Sequence, residues 1–297
     1  MILYDSCPVC GSKNVLPVFP VKDYTVSLEA FEVWECRNCT LRFTQNVPEQ
    51  EEIAPYYQSE NYISHTDTRE GFINKLYHRV RNQTLRQKRD LVGNKVGITK
   101  GGILDIGCGT GAFLNIMKQA GWDVTGLEPD ANARKRALEL YGLQLQLSEE
   151  LFLLPVRSFE AVTMWHVLEH VHDLHGSINQ IKNLLKPGGK LLIAVPNYTS
   201  YDEEVYKEYW AAYDVPRHLY HFSPESLKEL LSLHGFNIVS KKPMWYDSFY
   251  VSLLSEKYKR GKSNPALAFL NGMVSNIKAM ANVEKCSSII YMAQVIS

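Results

Sequence analysis

Residues 103–111 read ILDIGCGTG, and residues 112–121 read AFLNIMKQAG. A short apolar run enters three glycines, and a helix pattern with a glycine stop follows. Gly107, Gly109 and Gly111 let the backbone turn sharply and let a ligand approach the main chain. A dinucleotide loop of the form GxGxxG cradles a pyrophosphate on a helix N-terminus. This loop is GxGxG, and Asp105 sits at the strand end, where a carboxylate repels phosphate and suits a cationic ligand. Glu128 closes the next apolar run, DVTGLEP, 17 residues after Gly111. A carboxylate there can accept both hydroxyls of a ribose. Together these features point to a nucleoside without phosphates; the competing reading is a structural glycine turn in another nucleotide-binding α/β protein.

Outward from the loop, strand and helix patterns alternate to about residue 240. Residues 131–142 (ANARKRALELYG) form a helix pattern. LQLQL (143–147) and AVTMW (161–165) read as strands, 178–185 as a helix stopped by KPGG, 190–195 as a strand, 224–234 as a helix and 236–240 as a strand. Strands separated by helices of about ten residues imply a mainly parallel sheet with right-handed crossovers. Residues 246–258 and 265–281 read as helices, 288–295 as a final buried strand, and 72–92 as a helix ahead of the glycine loop.

Four pieces, ILDIGCGTG, VTGLEPD, FEAVTMWHVLEHV and LLKPGGKLLIAVPN, occur in this order over about residues 100–240. In this they resemble the class I S-adenosylmethionine (SAM)-dependent methyltransferases. The resemblance implies a Rossmann-like α/β fold with a seven-stranded sheet and a reversed final hairpin. It places Asp105, Gly107, Cys108, Gly109 and Gly111 toward the methionine end of the cofactor and Glu128 on the ribose. Pro129 and Ser148 fall near the adenine, with Glu149 or a backbone group as alternatives to Ser148. Trp165 and His166 fall at the strand end facing the cofactor. His166 is a candidate base or a packing residue, and Glu169 and His170 are read as caps of the following helix.

Four of the six cysteines form two CxxC turns, Cys7 with Cys10 and Cys36 with Cys39; Cys108 and Cys286 stand alone. Paired CxxC turns deliver four thiolates to one tetrahedral zinc and leave no open position, so the expected site is structural. A redox CxxC needs only one pair. This arrangement ahead of such a catalytic domain resembles the zinc-binding domain of sugar C-methyltransferases. The string VPRHLYHFS (215–223) resembles their EHxxYFS motif, with His218 at the position of the general base; Arg217 replaces Glu and His221 replaces Tyr. A histidine, with an ordinary pKa near 6.5, suits a base at neutral pH. A tyrosine from the connecting region enters the site in those enzymes, and Tyr62 is the nearest match. Tyr56 and Tyr57 are read as packing, whereas Trp210, Tyr213 and Tyr220 either line an acceptor pocket or pack.

The expected domains are a zinc-ribbon-like unit over 1–45, a helical connector or lid over 46–100, and the SAM-binding domain over 101–297 with a helical insertion at about 246–285. The chain has 297 residues, 32 Lys plus Arg and 32 Asp plus Glu, which argues against gripping nucleic acid or an acidic membrane through bulk charge. No apolar run reaches the ~20 residues of a membrane span, and no secretory signal is visible, so a cytoplasmic location is expected. The expected activity is SAM-dependent methyl transfer to a small molecule, with a sugar or nucleotide-linked sugar favoured. An RNA methyltransferase using the basic run at 69–100, or a non-catalytic cofactor-binding scaffold, are the alternatives. The oligomeric state is open.

Overall fold

Two sheets organise the computed structural model, which describes residues 1–58, 72–97 and 100–296. In chain order the first elements are β1 (Val15–Lys22), β2 (Ala30–Cys36), β3 (Arg42–Thr44), α1 (Phe72–Val96), β4 (Gly102–Ile106), α2 (Ala112–Gln119), β5 (Asp123–Leu127), α3 (Ala131–Tyr141) and β6 (Phe159–Trp165). They are followed by α4 (Leu174–Leu184), β7 (Leu185–Pro196), α5 (Tyr201–Tyr206), β8 (Tyr220–His221), α6 (Pro224–Leu233), β9 (Phe236–Pro243), α7 (Asp247–Arg260), α8 (Pro265–Ala281) and β10 (Ser288–Val295).

The larger sheet has the order β5-β4-β6-β7-β10-β9. Its first four strands are parallel, and β10 inserts antiparallel between β7 and β9. This is the α/β methyltransferase sheet with the reversed final hairpin. Beside β5, the expected seventh strand LQLQL contributes one parallel bridge, Gln146 to Leu127. Its alternation is that of a strand, but the chain turns into a short 3-10 helix at Ser148, and the pairing is confined to Gln146, which accepts the Glu128 N–H and donates to the Gly126 carbonyl, both at 2.9 Å. The KPGG segment, read as a stop, instead lies within the start of β7.

The helices follow local signals. Asp130 caps α3, its carboxylate accepting the Ala133 N–H at 2.6 Å. Ser223 caps α6, and Asn264 followed by Pro265 starts α8. The core of the large sheet is apolar on both faces, as parallel strands require, with Leu104, Met164 and Ile193 buried on one face and Ile103, Ala161 and Leu192 on the other. On α1, Val92 is buried with Met117 and Trp122 against the sheet edge.

The smaller sheet has the order β1-β2-β3-β8 and is antiparallel. Its fourth strand comes from residues 220–221, so the cysteine-bearing segment pairs with the loop that carries His218. None of the described helices is long and apolar enough to cross a membrane.

Candidate functional site

The glycine loop follows β4 at the C-terminal edge of the sheet, where open α/β sheets bind ligands. Gly107 adopts φ +66°, and a Cβ there would stand 2.5 Å from a Val167 methyl, so this position excludes any side chain. Above Gly109 the space is open to at least 4 Å. Cys108 and Gly111 complete the turn, the Gly111 N–H donating to the Cys108 carbonyl at 3.0 Å.

Glu128 ends β5 and is buried. Its carboxylate accepts the Gly109 N–H at 2.7 Å and the Asp130 N–H at 3.0 Å, which aims it at the glycine loop. Burial raises its pKa, partly countered by those two amides. The Pro129 carbonyl is exposed and takes a 2.7 Å bond from Arg134. Ser148 is half-buried at the start of a short 3-10 helix. Gln146 Oε1 and Trp165 Nε1 are buried polar atoms without a hydrogen-bond partner among the described residues.

Asp105 is buried and accepts the Thr163 hydroxyl at 2.6 Å. Burial pushes its pKa up to about 7, against that bond and the charge of Lys88. Lys88 reaches in from α1, its ammonium 4.3 Å from the centroid of the Trp165 ring. Burial lowers Lys88 to about 8. Sequence reading missed Lys88, because its position on a basic helix looks like a solvated face.

His166 sits at the end of β6 with φ +59°, in the left-handed region. Its Nε2 lies 3.0 Å from Asp247 and its Nδ1 3.4 Å from Glu169. Burial works against a charge here, but the two carboxylates outweigh it and hold the pKa up at about 9. His166 is therefore an imidazolium at neutral pH and a poor base there. Glu169 does not cap the next helix: α4 is capped by Asp173, and Glu169 is fully buried beneath the histidines. Its two oxygens have no hydrogen-bond partner among the described residues beyond the long contact to His166.

His170 Nδ1 lies 2.9 Å from the Arg217 carbonyl and 3.1 Å from the Tyr57 hydroxyl. Burial and the neighbouring His218 push its pKa down to about 4. His218 packs edge-to-face on His170, with ring centroids 4.5 Å apart. His218 Nδ1 is 2.9 Å from the Ala212 carbonyl. A carbonyl only accepts, so Nδ1 carries the hydrogen and Nε2 of the neutral ring is left as an acceptor. Glu169, His170 and His218 offer ligand atoms within 4.8 Å of one another and could also hold a cation.

The structure thus brings His166, Glu169, His170 and His218 together within reach of the glycine loop's strand edge. Tyr57, expected to pack, touches this cluster. Tyr62 lies outside the described residues. Trp210, Tyr213 and Tyr220 are buried and bonded: Trp210 Nε1 donates to Asp202 at 2.7 Å and the Tyr213 hydroxyl to Glu203 at 2.8 Å, so these serve packing. Arg217 turns away from the site into the N-terminal sheet, where it pairs with Asp23 at 2.9 Å and with Asp214 at 2.7 Å.

The cysteine cluster lies at the opposite end of the β1–β2 pair, where Cys36 faces Val15. Cys7 and Cys39 sulfurs are 3.5 Å apart, Cys10 and Cys36 sulfurs 3.6 Å, and all four fall within 4.8 Å. Zn–S bonds of about 2.3 Å in a tetrahedron put sulfurs roughly 3.8 Å apart, so the donor set fits that ion.

Residues 77–241, more than half of the chain, match the family model for a methyltransferase domain. The chain belongs to that methyltransferase family. The chain is 35% identical over 118 residues to the ubiquinone biosynthesis O-methyltransferase of Xanthomonas oryzae pv. oryzae, covering 37% of this chain and 49% of that protein. C-methyltransferase NovU of Streptomyces niveus is 27% identical over 258 residues, covering 79% of this chain and 56% of its own. The chain spans about half the length of these curated relatives. The magnesium protoporphyrin IX methyltransferase of Synechocystis PCC 6803 with bound SAH shares the fold at a TM-score of 0.52 and 18% identity, over 82% of this chain and 97% of that one.

Proposed function

We propose that the chain is a SAM-dependent methyltransferase acting on a small molecule, with a sugar or nucleotide-linked sugar as acceptor, and that the four cysteines hold a structural zinc. The observation that carries the donor reading is the Glu128 carboxylate, clasped by the Gly109 and Asp130 amides beside an open glycine loop. Glu128 would hold the ribose hydroxyls. Asp105, poised near pH 7 by burial, would ionise opposite the cationic amino-acid end, and Trp165 Nε1 and Gln146 Oε1, which have no partner among the described residues, would meet polar edges of the ligand. When bound, SAM supplies an electrophilic methyl on a sulfonium.

On the acceptor side the histidines divide the work. His166 is held protonated by Asp247 and Glu169 and contributes a fixed positive charge. His170 is held neutral and packs against His218. His218 presents Nε2 as the lone pair that takes the acceptor's proton while the nucleophile is methylated. The similarity to C-methyltransferase NovU, which runs over 79% of this chain, supports a small-molecule acceptor; Arg217 in place of Glu leaves O-, N- and C-acceptors all to be assayed.

The test is a calorimetric titration with SAM and its demethylated product, followed by turnover on a panel of sugars and nucleotide sugars. Micromolar cofactor binding is expected, and His218→Asn with binding retained should lower the rate ~10²-fold or more. Absence of cofactor binding overturns the proposal, and a near-wild-type rate in His218→Asn removes His218 as the base.

A further inference from the structure

Helix α8 is built inside out. Its inward face carries Ala268, Asn271, Gly272, Ser275 and Ala279, all buried. A Cβ at Gly272 would stand 2.7 Å from the Phe249 ring and 3.1 Å from its Cα, so α7 and α8 approach too closely for larger groups between them. The bulky side chains are displaced outward: Phe269, Leu270, Met273, Ile277 and Met280 are 40–75% exposed. Tyr250 and Leu253 on α7 extend the same apolar character. With ordinary side-chain areas these seven expose roughly 700 Å², beyond the roughly 300–600 Å² of the largest patch on an ordinary monomer.

The charges of this helix pair are one-sided. Between residues 245 and 282 the exposed charged side chains are Lys257, Lys259, Arg260, Lys262 and Lys278. Both acids in the stretch are taken up: Asp247 bonds His166 at 3.0 Å, and Glu256, 2% exposed, bonds Arg260 at 2.8 Å. Around this face Lys257, Lys259 and Lys262 outnumber the one exposed acid beside it, Glu204, which lies 3.9 Å from Lys278; apolar and aromatic side chains with an excess of positive charge are the composition of a face that lies in an anionic bilayer surface. Two copies meeting through this face would instead bring like charges together. The expectation of no membrane partner rested on the lack of a spanning segment and on a net charge of zero; a surface-lying face needs no spanning segment, and a local excess of positive charge is compatible with a neutral whole.

We propose that the outer face of α7–α8 docks the protein on a bilayer bearing anionic headgroups. The inference stands apart from the identity of the methyl acceptor. The test is co-sedimentation of the full chain with phosphatidylcholine vesicles, with and without an equal share of phosphatidylglycerol. Binding to the mixed vesicles that falls with added salt is expected. The double variant F269E/I277E should lose at least ~10-fold in lipid affinity, since two side chains that bury apolar area become charged. K257E/K262E should lose ~25-fold or more on anionic vesicles only, at roughly fivefold per charge removed. Circular dichroism and thermal melts at wild-type values confirm that both variants fold. Failure to bind mixed vesicles overturns the proposal, as does equal binding to neutral ones. A dimer in sedimentation velocity that F269E/I277E dissolves, without vesicle binding, assigns the face to a second copy and overturns it too.

Discussion

Replacing Arg217 by Met tests how the N-terminal sheet is tied to the histidine loop. The Arg217 side chain is 1% exposed and bridges Asp23, on the β1–β2 connection, to Asp214, three residues ahead of it. It also donates to the Tyr56 carbonyl at 2.9 Å. Breaking a buried pair from one side costs about 3–5 kcal/mol, because the other charge stays behind. Asp23 softens the loss: its carboxylate keeps the Thr25, Val26 and Ser27 amides, at 2.9, 3.2 and 2.8 Å. The lower end, about 3 kcal/mol, is therefore expected for Arg217→Met. Asp23→Asn keeps part of that turn and the Arg217–Asp214 pair, so about 1–2 kcal/mol is expected there. The double variant should fall close to Arg217→Met alone, since both changes remove the same pair. Urea unfolding measures these values. Hydrogen exchange of the native protein should quicken in residues 40–44 and 214–221, while affinity for the demethylated cofactor stays within about threefold. A loss under about 1 kcal/mol, additive single variants, or a fall confined to cofactor affinity would refute the assignment of Arg217 as the tie.

Three further outcomes follow from the site. Glu128→Gln removes the charge that receives the ribose hydroxyls and should weaken cofactor binding about 10–100-fold by calorimetry. For the pair of His166 with Asp247, the folded pKa of about 9 lies above the ordinary value of 6.5. Its stabilisation is therefore complete below about pH 6.5 and lost as pH rises through about 9. Because the His166 side chain is a third exposed, about 1–2 kcal/mol is expected between wild type and Asp247→Asn at pH 7, shrinking by pH 10 in urea unfolding. Elemental analysis of untagged protein should find about one zinc per chain, and a strong chelator should release it together with a drop in melting temperature.

The glycine loop, Glu128 and the α8 boundaries were legible because each is fixed by local chemistry: a turn only glycine makes, a strand-end carboxylate, an Asn-Pro cap. Residues 265–281 and 288–295 form a helix and a strand as the pattern implies. What escaped is what the fold brings together from far apart. Glu169 and His170 looked like helix caps because they precede α4, yet Asp173 holds that role and leaves Glu169 buried among three histidines. Lys88 and Asp247 lie 159 residues apart and meet at the same site only because α1 packs beside β6 and the first residue of α7 reaches His166 at the end of that strand. The direction of Arg217 was equally hidden, since its partner Asp23 is 194 residues away.

The pairing of β3 with β8 sets the order in which the molecule can be finished. The cysteine turns leave the ribosome well before the strand that closes their sheet, residues 220–221, which follows the four parallel strands of the larger sheet. Thr44 waits for the same segment, since its side chain bonds the His218 carbonyl at 2.7 Å and lies 3.1 Å from His221 Nε2. Closure of such distant contacts is slow. During synthesis the thiols therefore stand in an incomplete sheet, open to oxidation or to early capture of a metal, and the segment carrying His218 gains its final shape in the same step that shelters them.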